Sequence, residues 1–418
     1  MNRLNFNITN FQKLLILILI PSLITGPLLP EVISFFLCII FLIKFYINPN
    51  YKYFNKKIFI FYFLFLIILI LSSIFSKYIK LSLGTSLFYF RFILFALAIS
   101  FFLSSNIRLL KYFLLISSII ITFLSLNVII QYLFNIDLFG NVPTDKYRYS
   151  SFFGSELKAG GFIARLMFLG ILFFIFSNNL KYKNFIIFFY FFINSCAVFL
   201  SGERTAFFIL ILNIFIFFLY LKDFRRIIFI LLIFSPILLG IFIKINPLAK
   251  ERMFETTKNE IFENNKVFIF SEIYQSHYIT AYNMFKDKPI IGHGVKSFRE
   301  VCKEDSYIRF YGCATHPHNF YLQFLAEIGL LGIFFLISFY LFFILRFINN
   351  YKVGNKNLLN FAKLVLYQTM IVNLLPFMPS GNFFNNWGSI NLYIPIALII
   401  FFENFNIKNI KNLIKEFK

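Results

Sequence analysis

Charged residues are scarce in this chain. Only 14% of its 418 residues are charged and 59% are hydrophobic, whereas soluble proteins average about 25% charged and about 45–50% apolar residues. Runs such as 58–71 and 227–243 contain no charge, as a segment that crosses a bilayer requires. This scarcity excludes an ordinary soluble domain and predicts an integral membrane protein.

Acidic residues are scarcer still, with 18 Asp and Glu against 40 Lys and Arg and a formal net charge of +22. Such an excess can indicate a nucleic-acid partner, but the basic residues are spread thinly over the loops, without a basic stripe or a nucleic-acid motif. A positive-inside distribution explains them better. We therefore expect the lipid bilayer as a partner and no nucleic acid.

Hydropathy in windows of about 19 residues predicts an all-α protein with about twelve transmembrane helices, although ten or eleven remain possible because several spans abut. The predicted spans are 12–29, 32–47, 58–76, 84–104, 110–134, 159–177, 184–201, 204–221, 226–243, 320–345, 361–378 and 389–403. The first lacks an Ala-x-Ala-like cleavage site, so we expect a span rather than a signal peptide. Basic residues alternate between loops in a way that requires an even count and puts both termini in the cytoplasm.

A large, partly helical loop is predicted before the tenth helix, on the outer side. A structureless connection as long as 244–319 is uncommon and is normally functional. Apolar residues at helical spacing in 267–286 predict one or two amphipathic helices. We therefore divide the chain into helices one to nine (1–243), the loop with the active-site residues (244–319), and helices ten to twelve with the cytoplasmic tail (320–418).

Histidine is also rare, with four in the chain. Two of them, His316 and His318, directly precede the tenth helix, which holds Glu327 in an apolar run. In an extended turn, side chains two residues apart point the same way. A zinc site lacks a third ligand at the usual spacing, and a general base with a pKa near neutral pH fits better. Two inert loop histidines are an equally good interpretation.

Arginine is less common than lysine, which makes its positions informative. Arg204 ends a short outer turn at the mouth of the eighth span, and Arg252 and Arg299 lie in the large loop. A guanidinium group suits bidentate recognition of phosphate, but a snorkelling residue at a helix end is an equal alternative for Arg204. Arg91 and Arg165 lie within or near spans, where a charge must face the bundle interior or a watery cavity.

Nucleotide and cofactor motifs are missing. The chain has no Walker-type Gly-Lys-Thr/Ser, no Asp-rich metal motif and no serine nucleophile elbow, so we expect no cofactor and no metal. Of the four cysteines, Cys38 and Cys196 fall in apolar segments. Cys302 and Cys313 share the outer loop, and we favour a disulfide between them because an outer loop faces an oxidising compartment.

Several of these motifs together resemble the O-antigen ligase family. They are Pro289-x-x-Gly292-x-Gly294, Phe298, His316-x-His318-Asn319 and Glu327-x-Gly329-x-x-Gly332. The turn 201–204 is similar to the Ser-x-Arg turn of the family, with Glu203 as an insertion or variant. One departure is that many members place an arginine near the position of Tyr274, where the nearest basic side chain here is His277.

The resemblance implies a GT-C-like fold and a metal-independent, inverting glycosyltransferase. Such an enzyme moves a glycan from undecaprenyl diphosphate to an acceptor, lipid A–core in the ligases, on the periplasmic face of the bacterial inner membrane. Polysaccharide polymerases and protein O-oligosaccharyltransferases of the same superfamily are alternatives. A polyprenyl-glycan transporter, with Arg91, Arg165 and Glu327 along a path, is a more distant one, because paired half-sequences are not evident.

The resemblance also implies roles for individual residues. His318 is the first candidate for the base that deprotonates the acceptor, and His316 is the second. The candidates for diphosphate binding are Arg204, Arg252, Arg299 and His277. The candidates for positioning are Asn319, Glu327, Gly292 and Gly294.

Overall fold

A computed structural model describes residues 2–47, 49, 56–177, 180–220, 225–245, 247–263, 266–267, 270–353, 358–405 and 410–417. Eighteen α-helices account for nearly all the regular structure in these ranges. The only strands there are a two-residue antiparallel pair, in which Phe262 is opposite Val267 and Glu263 is opposite Lys266. The fold is all-helical, as the composition predicts.

Ten helices precede the large loop. They are α1 (Asn2–Leu23), α2 (Leu28–Ile47), α3 (Lys56–Ile74), α4 (Ile79–Ser86), α5 (Arg91–Ser105), α6 (Ile107–Phe134), α7 (Ala159–Phe176), α8 (Lys183–Leu200), α9 (Arg204–Tyr220) and α10 (Arg225–Ile245). A short 3-10 turn, Ser151–Phe153, lies between α6 and α7.

The loop and the remaining helices follow. The loop contains α11 (Leu248–Lys250), a π-helical turn (Glu251–Glu255), α12 (Thr256–Ile261), β1 (Phe262–Glu263), β2 (Lys266–Val267), α13 (Glu272–Asp287) and α14 (Phe298–Val301). The last helices are α15 (Phe320–Val353), α16 (Leu358–Asn373), α17 (Asn386–Asn404) and α18 (Ile410–Phe417).

Eight helical segments of the described chain are long and apolar enough to cross a membrane. They are α2, α4 with α5 as one segment (Ile79–Ser105), α6, α7, α8, α10, α15 and α17. Three shorter apolar helices accompany them: Ile8–Leu23, Phe59–Ile74 and Arg204–Tyr220. The protein is therefore a multi-pass membrane protein.

Helix α7 lies in the centre of the bundle. It packs against α6, α8, α9 and α16, and all of its residues except Arg165 are buried. By contrast, α10 is mostly exposed along its apolar length, as expected for a helix that faces lipid. The single polar position of α7 is thus a charge held inside the protein, which a bilayer protein places only at an interior or cavity site.

Four predicted helix boundaries were wrong, each for a local reason. Helix α1 ends at Leu23 rather than near 29, because the chain turns at Gly26, whose φ of 118° suits only glycine. The predicted span 84–104 is interrupted by a turn between α4 and α5. Helix α16 ends at Asn373, shortly before Pro376, because proline disfavours helical geometry in the residue before it.

The fourth difference concerns α15. We predicted 320–345 as one continuous span, but the helix extends to Val353 and contains a non-helical residue, Gly329, with φ 68° and ψ −156°. The loop packs onto the first part of this helix through α13. A small second core that includes Ala281, Met284, Phe298 and Ala326 holds them together.

Candidate active site

Asn319 fixes the turn that carries two of the histidines to the start of α15. Its Oδ1 accepts hydrogen bonds from the backbone N–H groups of Tyr321 (2.9 Å) and Leu322 (3.1 Å), which are free donors at a helix N-terminus. Its Nδ2 donates to the carbonyls of Pro376 (2.7 Å) and Met378 (3.3 Å). Asn319 therefore caps α15 and also holds the loop between α16 and α17 against it.

His318 lies at the centre of a cluster of rings. Its ring centroid is 4.1 Å from that of His316, 5.3 Å from that of His277 and 5.4 Å from that of Tyr274. We predicted an extended turn, but the backbone at His318 is left-handed, with φ 55°. Its carbonyl accepts a hydrogen bond from the N–H of Ser380 (2.8 Å). A left-handed conformation is uncommon for histidine and persists only where the surroundings hold it.

Burial keeps these histidines neutral. It lowers the pKa of His316 to about 3, with a further contribution from His318, and it lowers the pKa of His318 to about 4. The pKa of His277 is also lowered by burial. Imidazoles with such pKa values are uncharged at pH 7, as a proton acceptor must be, but their pKa values lie below the near-neutral range that we predicted, because burial disfavours the imidazolium form.

The hydrogen-bond partners of the ring nitrogens show which of them could bind a substrate. Nδ1 of His316 is 2.9 Å from Oγ1 of Thr315. Among the described residues, Nδ1 of His277 is buried without a hydrogen-bond partner, and the ring of His316 lies near the backbone of Ser380. Buried polar atoms without partners are costly, and they point to a group that the cluster would receive.

Arg299 is the arginine next to the histidines. Its charge is close enough to lower the pKa of His316, and its buried Nε has no hydrogen-bond partner in the described chain. Lys296 lies beside it, and burial and the charge of Arg299 lower the pKa of Lys296. Lys296 also lines a cavity of about 470 Å³ with Arg91, whose Nη2 pairs with Glu31 at 2.9 Å. Cationic side chains therefore extend from Arg299, beside His316, to this cavity.

Arg204 and Arg252 form a separate cluster. Nη2 of Arg204 donates to both carboxylate oxygens of Glu260 (2.9 and 3.0 Å), and Nη1 donates to Thr257 (3.1 Å). Arg252 lies 3.9 Å from the same carboxylate. Burial lowers the pKa of Arg252, as do the charges of Arg204 and Arg148. Neither Arg204 nor Arg252 pairs with a histidine in the described ranges, so the predicted diphosphate residues fall into two groups.

Glu327 organises the loop rather than facing the histidines. Its Oε2 accepts from the N–H of Lys296 (2.9 Å) and from Nε2 of Gln323 (3.1 Å), and its Oε1 accepts from the N–H of Phe298 (3.3 Å). Its backbone carbonyl accepts from the N–H of Gly294 (2.8 Å). These bonds satisfy a buried carboxylate and fix the segment that carries Lys296 and Arg299.

Gly292 and Gly329 allow two backbone segments to touch. A Cβ on Gly292 would lie 2.3 Å from the carbonyl carbon of Glu327, and a Cβ on Gly329 would lie 2.5 Å from the carbonyl of Ile290. Across this contact the N–H of Leu330 donates to the carbonyl of Pro289 (2.7 Å). The glycine turn and the glycine of α15 thus form one junction, which explains why the two motifs occur together.

Cys302 and Cys313 are joined in a disulfide with 5.1 Å between their Cα atoms. Cys302 belongs to the small core under α13, and Cys313 is three residues before His316. The bond therefore connects the packed part of the loop to the histidine turn. Cys38 and Cys196 are buried and free.

Residues 187–337 match the family model described as O-Antigen ligase. The match includes the histidine cluster, both arginine groups and the junction at Gly329. The matched segment is about a third of the chain, and it supports a relationship to the O-antigen ligase family. None of the curated proteins matches the chain.

This match implies a glycosyltransferase-like enzyme whose substrates are lipid-linked glycans in a bilayer. Tyr274, the position at which the resemblance leads us to expect an arginine, contacts the rings of His277 and His318, and His277 lies one turn further along α13.

Sequence reasoning missed three contributors to the site. Arg91 and Lys296 join Arg299 only through the fold, because α5 and the glycine turn are about 200 residues apart in sequence. Ser380 belongs to the loop between α16 and α17, which we did not predict as part of the site. Its run of serine, glycine and asparagine between two spans was the available signal for a functional loop.

No group of three His, Cys, Asp or Glu side chains that could hold a metal ion is found in the described residues. The three clustered histidines are therefore arranged as stacked rings rather than as ligands around a common point.

Proposed function

We propose that this protein transfers a glycan from undecaprenyl diphosphate to a hydroxyl group of lipid A–core, with inversion and without a metal. The observation that carries the proposal is the buried cluster of neutral histidines beside Arg299, within a segment that matches the O-antigen ligase family. Polymerisation of a polysaccharide and transfer to a protein hydroxyl are the alternatives, since they need the same base and the same donor.

His318 is the base in this proposal. It takes the proton of the acceptor hydroxyl as that oxygen attacks the anomeric carbon of the donor sugar. The bond from that carbon to the diphosphate oxygen breaks, and the diphosphate leaves with the electron pair. A single displacement inverts the configuration at the carbon. His316, whose ring is 4.1 Å away, is the second candidate for the base.

The cationic side chains stabilise the leaving diphosphate. Fixed guanidinium groups aimed at developing negative charge supply this stabilisation without reorganisation. Arg299 is nearest to the histidines, and Arg204 with Arg252 would contribute after exchange of Glu260 for the substrate. His277, whose ring is 5.3 Å from that of His318, is a further candidate for contact with the diphosphate. The diphosphate bond is the energy source, so the reaction needs no nucleotide.

We infer a periplasmic active site in the bacterial inner membrane, with both termini in the cytoplasm. The support is the distribution of Lys and Arg over the short loops and the disulfide in the same loop as the histidines, since disulfides persist in oxidising compartments.

Glycan transfer by the purified protein, with a lipid-linked donor and a lipid A–core acceptor, tests the proposal. We expect His318→Ala to reduce the rate by about 10²–10⁴-fold, the usual contribution of a general base, with donor binding unchanged. Phe310→Ala, which removes an exposed ring from the same loop, should retain full activity. Normal turnover by His318→Ala would overturn the assignment of the base.

The acceptor is tested separately, by deletion of the gene and electrophoresis of lipopolysaccharide. Uncapped core with long glycan on the carrier is expected for a ligase. A core capped by a single repeat would instead indicate the polymerase.

A further inference from the structure

A second cavity adjoins the histidine turn. It has a volume of about 730 Å³ and lies where the starts of α7, α15 and α17 meet the loop after α16. Phe320, which follows Asn319, forms one wall, and Gly381 and Asn382, which follow Ser380, form another. Ser380 donates a hydrogen bond to the carbonyl of His318, so this cavity adjoins the turn that carries the proposed base.

Two cations line this cavity. Lys158 precedes α7, and Arg165 is the only residue of α7 that is not buried. Nζ of Lys158 has one carboxylate neighbour, Glu156 at 3.5 Å, but the side chain of Glu156 is 72% exposed, and such surface pairs contribute little. The cation of Lys158 is therefore not neutralised by the protein.

Arg165 has only a shared counter-ion. The nearest carboxylate is Glu203, whose oxygens already accept hydrogen bonds from the N–H groups of Gly160 (2.7 Å) and Gly161 (3.1 Å). Arg148 also acts on Glu203, more strongly than Arg165 does. The balance of charge at the cavity is thus positive, and an anion that entered would meet a lysine and an arginine.

The rest of the lining suits a sugar. Asn373, Asn382 and Asn391 supply amide groups, which can donate and accept hydrogen bonds. Oδ1 of Asn391 is buried and has no partner within the described part of the chain. Trp387 forms an aromatic wall, and Nζ of Lys158 lies 4.2 Å from its ring centroid. Apolar walls with a few convergent polar groups are typical of ligand pockets.

We propose that the Lys158–Arg165 cavity binds a phosphorylated sugar unit of one of the two substrates, with the phosphate on the cations and the hydroxyl groups on the amides. The proposal rests on the glycan transfer argued above and deepens it. The unit has two possible sources, the diphosphate-linked sugar of the donor lipid or a phosphorylated sugar of the acceptor.

The cavity carries its own probe, because Trp387 is the single tryptophan of the chain. We would titrate the purified protein in nanodiscs with N-acetylglucosamine 1-phosphate and follow tryptophan fluorescence. A phosphate that draws Lys158 away from the indole should change the emission in a saturable way. N-acetylglucosamine alone and inorganic phosphate alone should bind at least about tenfold more weakly, since each lacks one half of the contacts.

Variants test the position of the site. Lys158→Ala should weaken the binding of the sugar phosphate about tenfold or more, whereas Lys181→Ala, at the opposite end of α7, should not. Arg165→Gln is the second variant, with size-exclusion chromatography to verify its fold. Competition by geranyl diphosphate would assign the cavity to the donor head group, and binding without such competition would assign it to the acceptor.

Two results would overturn the proposal: no fluorescence response to any probe, or equal affinity in the Lys158→Ala protein. Binding is measured without turnover, and His318→Ala should retain it. If the protein binds the sugar phosphate but does not transfer glycan, only the proposed function is contradicted. If it transfers glycan but does not bind the sugar phosphate, only the cavity proposal is contradicted.

Discussion

Arg204 is already paired in this structure, which gives its role a direct test. Its guanidinium group donates twice to Glu260, and both side chains are about one-third exposed, so the pair itself adds little stability. If Arg204 binds the donor diphosphate, Glu260 competes for the same face of the guanidinium group. If Arg204 binds phosphate, removal of the Glu260 charge should improve donor binding. If Arg204 only holds the loop in place through Glu260, the same change should not.

We predict that Glu260→Gln lowers the KM for the lipid-linked donor, and that Arg204→Lys lowers kcat/KM about tenfold or more because a lysine cannot reproduce the bidentate contact. Steady-state kinetics with a varied donor concentration measures both effects. Arg108→Lys is the matched control, since Arg108 pairs with Glu416 away from the loop. If kcat/KM is unchanged in Arg204→Lys, the role of Arg204 would be limited to holding α12 through Glu260 and Thr257.

Candidate residues could be selected from the sequence where their chemistry was rare. His316, His318 and Arg204 stood out because histidine and arginine are uncommon in an apolar chain. Arg91 and Lys296 could not be joined to Arg299 in the same way. Their proximity depends on how α5 packs in the bundle and on the junction between the glycine turn and α15.

Among the helices, the largest departure from the predicted structure is at Gly329, where α15 contains a non-helical residue. The apolar pattern predicts an uninterrupted helix because hydropathy does not register a break of one residue. The structure needs the break so that the backbone of Pro289 and Ile290 can hydrogen-bond to the helix. The glycine spacing indicated a close approach, but it did not identify the partner segment.

We predict that Gly329→Ala lowers the melting temperature and the transfer rate together. A φ of 68° with ψ −156° is accessible to glycine but costs other residues about 1–3 kcal/mol, and the new Cβ would lie 2.5 Å from the carbonyl of Ile290. Gly240→Ala is the control, because nothing lies within 4 Å of its Cβ position and alanine favours a helix. Equal melting temperatures for the two variants would contradict this account of the junction.

At the scale of the whole molecule, composition predicts the bundle but not its centre. Charge-free runs identify the apolar helices because the bilayer demands them. They do not show that α7 is enclosed on every side while α10 is largely exposed, since both are apolar enough to cross a membrane. Arg165 carried a partial signal, since a charge in a span must face the interior, but its place within or near a span did not identify α7 as the central helix.

The orientation of the bundle is open to a labelling experiment on the native chain. The described cysteines are either buried or joined in the disulfide, so a new cysteine would be labelled over a low background. Ser155, before α7, and Ser105, at the end of α5, are both exposed, and α6 separates them. In the proposed topology α6 crosses the membrane outward, so these positions lie on opposite faces.

We predict that an impermeant maleimide labels Ser155→Cys in intact spheroplasts, and that it labels Ser105→Cys only after the membrane is permeabilised. Labelling measured by gel shift gives both results in one assay, with the parent chain as the blank. The reverse pattern would put the histidine cluster in the cytoplasm. A periplasmic acceptor and a disulfide maintained by the compartment would then both be excluded, because each requires the loop between α10 and α15 to be outside.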